Sequence, residues 1–117
     1  MGLIADGFRR AISAAENGNP DFCVTYESRR DPDKWIQLTW SHINAAYPLR
    51  VEPDQELRRR GFTYPENVEL SSWEAGTFAT FEHGAEPLAD LVAFVERYAR
   101  EILGVEPDES ALTLATG

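Results

Sequence analysis

Two histidines, one cysteine and a scatter of carboxylates are the residues of this 117-residue chain whose types could do chemistry. His42 and His83 both fall near expected turns, and Glu82 stands beside the second. These three could contribute to a metal site, but neither an i,i+4 nor a close-paired spacing puts two ligands on one ion. They read as solvated turn histidines, with no metal and no cofactor. Cys23 has no histidine or cation near it in sequence to favour the thiolate, so it reads as a small apolar strand residue. Asp21 and Glu27, with Arg29 two positions further on, offer the outline of a metal-dependent nuclease. Such sites prefer a lysine where Arg29 stands, and the separation of the two acids is short. Asp21 and Glu27 are more simply the solvated ends of one strand. Arg58, Arg59 and Arg60 could meet phosphate or an acidic partner. Three successive helical residues splay around the helix, however, and Glu52, Asp54 and Glu56 are close enough to neutralise them. No Gly-rich phosphate loop and no catalytic triad is visible, so the chain reads as non-enzymatic.

Charge narrows the partners. Residues 1–60 hold nine acids and nine Lys/Arg; residues 61–117 hold eleven acids against Arg97 and Arg100, and so carry the whole net charge of −9. An acidic domain of this kind repels nucleic acid and anionic membrane and favours basic segments of other proteins. No apolar run approaches the ~20 residues of a membrane helix, and Asp6 follows the N-terminus without a basic n-region, which argues against a signal peptide. A single cysteine excludes an internal disulfide. A cytoplasmic location is the resulting expectation.

The elements that must position these residues follow from hydrophobic spacing. Ile4, Phe8, Ile12 and Ala15 recur at helical intervals, predicting a helix over Leu3–Glu16 that ends at Asn17, Gly18, Asn19 and Pro20. Alternation predicts strands at Phe22–Glu27, Trp35–Trp40 and Ile43–Leu49, then a short helix at Asp54–Arg60 stopped by Gly61. Strands at Val68–Trp73 and Thr77–Glu82 follow, joined by a turn at Ala75-Gly76. A broad apolar face from Leu88 to Ile102 predicts a last helix over Glu86–Leu103. The order is α-βββ-α-ββ-α: one α+β domain over residues 1–107, an antiparallel sheet flanked by terminal helices. Residues 108–117 read as an acidic, loosely attached tail in which Leu112 and Leu114 could add a short strand. Phe8, Ile12, Phe22, Val24, Ile36, Leu38, Trp40, Leu70, Phe81, Leu91, Val95 and Ile102 are the expected core.

On the same alternation, Trp35 lies opposite the core face of its strand, and Trp73 and Phe78 share the non-core face of their hairpin, directly across from each other. Large aromatics on a face away from the core need a cover, and a partner, a subunit interface or a helix of the same chain supplies one. Trp35, Trp73 and Phe78 are therefore the candidate partner-binding residues.

The stretch Leu57, Arg58, Arg59, Arg60, Gly61, Phe62, Thr63, Tyr64, Pro65 resembles the leucine, spacer, Gly-aromatic, proline signature of the bacterial domains grouped with type III secretion chaperones and YbjN proteins. Trp35–Trp40 is similar to that group's aromatic strand, and Pro87 to Leu91 with Leu103, Gly104 and Val105 to its final helix. The resemblance spans residues 22 to 107. It implies a small acidic cytosolic protein, commonly a homodimer, that holds an extended client segment on its surface; it implies no catalytic residues. The middle helix departs from the group in being short and charged, which argues against a dimer through that helix. Client binding at a sheet edge and in aromatic pockets is the expected function. The alternatives are a structural homo-oligomer or a subunit of a larger assembly, and a small metal-dependent nuclease.

Overall fold

The computed structural model describes residues 2–84 and 87–116; the expected helix start at Glu86 lies outside the described residues. Helix α1 (Leu3–Glu16) is followed by β1 (Val24–Ser28), β2 (Trp35–Leu38) and β3 (His42–Ala46), then α2 (Pro53–Arg59), β4 (Val68–Glu74) and β5 (Phe78–His83). Helix α3 (Leu88–Tyr98) runs on as a π-helical turn over Ala99–Leu103, and β6 (Leu112–Thr116) closes the chain. The α-βββ-α-ββ-α order stands, with a sixth strand added. All pairings are antiparallel, and the sheet order is β4-β5-β3-β2-β1-β6.

Period-two alternation puts Val24, Tyr26, Ile36, Leu38, Ile43, Ala45, Ala79 and Phe81 on one face, all buried beneath the helices. Tyr26 reaches up under α1 and donates its hydroxyl to the Leu3 carbonyl at 2.8 Å. Gly7 makes that approach feasible: a Cβ there would stand 1.9 Å from the Tyr26 hydroxyl oxygen. Beyond Tyr26, Phe81, Phe94 and Tyr98 form an edge-to-face cluster, joined by Tyr64 with its ring centre 5.6 Å from Phe81. Gly61, at φ +84°, ends α2 so that the Phe62 N–H returns to the Leu57 carbonyl at 3.0 Å. That stop turns Phe62 and Tyr64 into the aromatic cluster, so the Gly-aromatic segment builds core.

Arg59 and Arg60, at the end of α2, tie that helix to its surroundings. Buried Glu56 accepts from Arg59 and Arg60, each at 2.5 Å, and these hydrogen bonds hold its carboxyl below the usual range. Arg60 also donates to the Glu101 carbonyl at 2.5 Å in the π-helical turn, while Arg97 donates back to the Arg60 carbonyl at 3.0 Å. Arg97 lies over the Phe62 ring, 4.5 Å from its centre.

Three expectations are corrected. Trp40 is not core but 44% exposed, because β2 ends at Leu38. The Thr39 N–H meets the His42 carbonyl at 2.9 Å, and the Thr39 hydroxyl accepts from the Ser41 and His42 N–H groups. These bonds close a tight turn with Trp40 at its tip. The second correction concerns residues 108–117, which are not a loose tail: Leu112–Thr116 pairs residue for residue with β1, from Ser28↔Leu112 to Val24↔Thr116. Arg29 anchors this return, its backbone N–H bonding the Ala111 carbonyl at 2.8 Å and its Nε the Glu109 carbonyl at 3.0 Å. Gly117 lies outside the described residues.

Trp73 supplies the third. The β4–β5 register shifts between Leu70 and Ser72, so two residues of β4 span what one should. Up to Leu70 the alternation is as read, with Leu70 facing Phe81 on the core side. Past the bulge its phase is inverted, and Trp73 pairs with Ala79 on the core side. There its ring stands edge-on to Tyr47, 6.1 Å between centres.

Candidate functional site

All three helices cover one face of the sheet, leaving the outward side chains of the six strands on an open face. Residues 113 and 115 of β6, 25 and 27 of β1, 35 and 37 of β2, 42, 44 and 46 of β3, and 78, 80 and 82 of β5 alternate onto it. Past its bulge, β4 adds Ser72 and Glu74. The registers align these residues in rows perpendicular to the strands, and the rows differ in chemistry.

The middle row is a polar ladder. Asn44 donates to the Gln37 side-chain oxygen at 3.1 Å, and Gln37 donates to the Thr25 hydroxyl at 3.3 Å and to the Cys23 sulfur at 3.6 Å. Cys23 is thus half-buried beside a polar ladder, not simply an apolar strand residue. At one end of the face His42 and Glu82 pair across β3 and β5, with Nε2 and Oε1 3.6 Å apart. The Ser41 hydroxyl lies 2.7 Å from His42 Nδ1. Serine, imidazole and carboxylate follow one another here, a contact that sequence spacing does not announce because Glu82 arrives from another strand. His42 and Glu82 are 40% and 51% exposed, and solvent at that level leaves the pair weakly coupled.

His83 is adjacent in sequence but faces the opposite way. It is buried, its ring edge-on to Phe8 at 5.5 Å, and its Nε2 lies 3.1 Å from the Thr39 carbonyl oxygen. Burial pushes its pKa below the ordinary value. The reading of both histidines as solvated therefore fails for His83, and the sheet itself separates the two. Among the described residues no group of three or more His, Cys, Asp or Glu is arranged to hold a metal ion. Asp21 is exposed in the turn before β1, Glu27 sits on the open face, and Arg29 is engaged by the C-terminal segment.

At the other end of the face lies the aromatic row. Thr113 pairs with Glu27, Glu27 with Trp35, Ala46 with Phe78, and Phe78 with Glu74. Trp35 and Ala46 fall opposite one another by continuing the β2–β3 register one step past Ile36↔Ala45. The full row reads Thr113, Glu27, Trp35, Ala46, Phe78, Glu74. Ala46 is only 4% exposed although it faces away from the helices, because a large ring stands on either side of it. Trp35 and Phe78 are half-buried, and the row borders a cleft of about 530 Å³. Trp35, Ala46, Tyr47, Pro48, Thr77 and Leu103 of the π-helical turn line it with Asp31, Asp33 and Lys34 of the β1–β2 loop, so it opens at the end of the sheet and meets the row at Trp35 and Ala46. Two of the three candidate residues are thus brought together, through Ala46 rather than directly. Trp73 is on the other side of the sheet.

Among the described residues no helix is long and apolar enough to cross a membrane. A scan of protein-family models, a search of curated proteins and a search of solved structures find no match to this chain.

Proposed function

We propose that this chain is a non-enzymatic binding domain of the cytoplasm that holds an extended segment of another protein, as a chaperone or adaptor would. One observation carries the reading: half of a six-stranded sheet is left uncovered, and its uncovered face bears two large aromatic side chains in one row. A solitary exposed ring needs no explanation, but two aligned rings on a bare sheet are suited to accepting side chains of an extended partner. The outer edges contribute less. One is β6, an edge strand of only five residues, and the other, β4, is interrupted by its bulge, a device that discourages strand addition. The open face rather than an edge is therefore the proposed docking surface. The resemblance to secretion chaperones and YbjN proteins points the same way.

The same uncovered face favours a second reading, a homodimer in which two copies cover each other's aromatic row. Affinity-tagged wild-type protein, Trp35→Ala and Trp73→Ala, each recovered from the native host and measured for mass by light scattering, separates the two. Client binding predicts that Trp35→Ala loses the co-purifying protein while its mass and melting temperature stay those of the wild type. Conversion of Trp35→Ala to half the wild-type mass would establish the dimer instead. Full retention of partner and mass in Trp35→Ala would remove this face from consideration.

A further inference from the structure

We infer that the aromatic row is an arginine-selecting site: it takes arginine side chains of a basic, extended partner segment. This rests on the reading of the open face as a binding surface and specifies what that surface selects. The row is ordered by charge as well as by shape. Trp35 and Phe78 stand on either side of Ala46, and Glu27 and Glu74 stand on the outer side of each ring. With strands ~4.8 Å apart, the two aromatic residues are about 10 Å apart at their Cβ atoms, and each carboxylate is one strand further out. A cation resting on either ring therefore has a carboxylate one strand away.

Neither carboxylate is committed elsewhere. Among the described residues, the ion pairs within 4.0 Å join His42 to Glu82, Arg59 and Arg60 to Glu56, Arg97 to Glu101 and Arg100 to Glu106; Glu27 and Glu74 enter none. Asp31, Asp33 and Lys34 line the adjoining cleft, and the Arg50 guanidinium stands near Gly76 at its other side.

Guanidinium fits this combination better than ammonium. It is planar and weakly hydrated, so it stacks on an aromatic face while its edge N–H groups remain free to donate to a carboxylate. Lysine offers a compact, strongly hydrated charge that gains less from a ring. The protein already contains one such stack on its helical side, where Arg97 lies over Phe62.

The test uses three synthetic hexapeptides of alternating threonine and a second residue, which is arginine, citrulline or lysine. Each is titrated into the full chain at low salt with tryptophan fluorescence as readout. Citrulline keeps the shape of arginine and removes its charge. The arginine peptide should bind at least about tenfold more tightly than the citrulline peptide and several-fold more tightly than the lysine peptide. Glu27→Gln/Glu74→Gln, a surface change whose melting curve should match the wild type, should weaken the arginine peptide by roughly tenfold. Glu66→Gln/Glu69→Gln, which removes equal charge at the far end of the sheet, should weaken it by no more than about twofold. Equal binding of arginine and lysine peptides, equal losses in the two double variants, or no binding of the arginine peptide would each overturn the inference. If the citrulline peptide binds as well as the arginine peptide and Trp35→Ala abolishes both, the binding-domain reading survives while arginine selection fails.

Discussion

His83 lies one residue from Glu82, yet the two belong to different environments because β5 sends neighbours to opposite faces. On the helical side burial disfavours the charged imidazole and lowers its pKa from the ordinary histidine value. The unfolded chain therefore takes up this proton first. The stabilisation is complete above about pH 6.5 and is lost as pH falls from there through the lower folded value. Glu56 and Asp108, whose carboxyls are held down by their hydrogen bonds, lose their stabilising effect only at more acidic pH. Melting temperatures at pH 7.5 and 5.5 isolate the histidine: the wild type should drop between the two, and His83→Gln should drop less. Identical drops would show that His83 is not the group titrating. Nothing in the sequence distinguishes His83 from His42, since both neighbour turn residues; only the strand phase assigns one to the core and the other to solvent.

Packing between α1 and β1 shows an element fixed by a residue that is absent rather than present. Glycine inside a helix costs about 0.5–1 kcal/mol relative to alanine, so Gly7 would ordinarily be improved by substitution. Here the Tyr26 ring occupies the space a methyl group would need, at 1.9 Å from its oxygen and 2.9 Å from the adjoining ring carbon. Overpacking outweighs the helix gain, and Gly7→Ala should destabilise by about 1–3 kcal/mol in urea denaturation. Adding Tyr26→Phe should recover part of that loss, since it removes the closer atom; additive losses would mean the two residues do not conflict. Helices and strands were the legible part of this fold because their periodicities are carried by many residues. The places of Trp40 and Trp73 were not legible and β6 was legible only as an option at Leu112 and Leu114, each for a separate reason. One hydroxyl, that of Thr39, closes a turn early enough to put Trp40 outside. The bulge past Leu70 leaves the alternation of Val68, Leu70 and Ser72 intact in sequence while reversing which side it means. The last strand is five residues with Thr113, Ala115 and Thr116 among them, and it forms only because β1 offers an edge.

For the whole molecule, one face of the sheet is a core and the other a surface, and their residue types overlap enough to be confused. The aromatic row was half visible: Trp35 and Phe78 follow from strand phase, whereas Ala46 between them and the flanking Glu27 and Glu74 require the register of five strands. The central claim is that this open face, and not the helical side, meets the partner. Three tryptophans sample three regions of the molecule: Trp35 the aromatic row, Trp40 the exposed turn, and Trp73 the helical side against Tyr47. Their three indole N–H resonances in a nitrogen–proton correlation spectrum, recorded while the alternating threonine–arginine hexapeptide is added, report on all three at once. The account predicts that the Trp35 resonance moves progressively to saturation while that of Trp73 stays in place. Movement of Trp73 with Trp35 unchanged would contradict it.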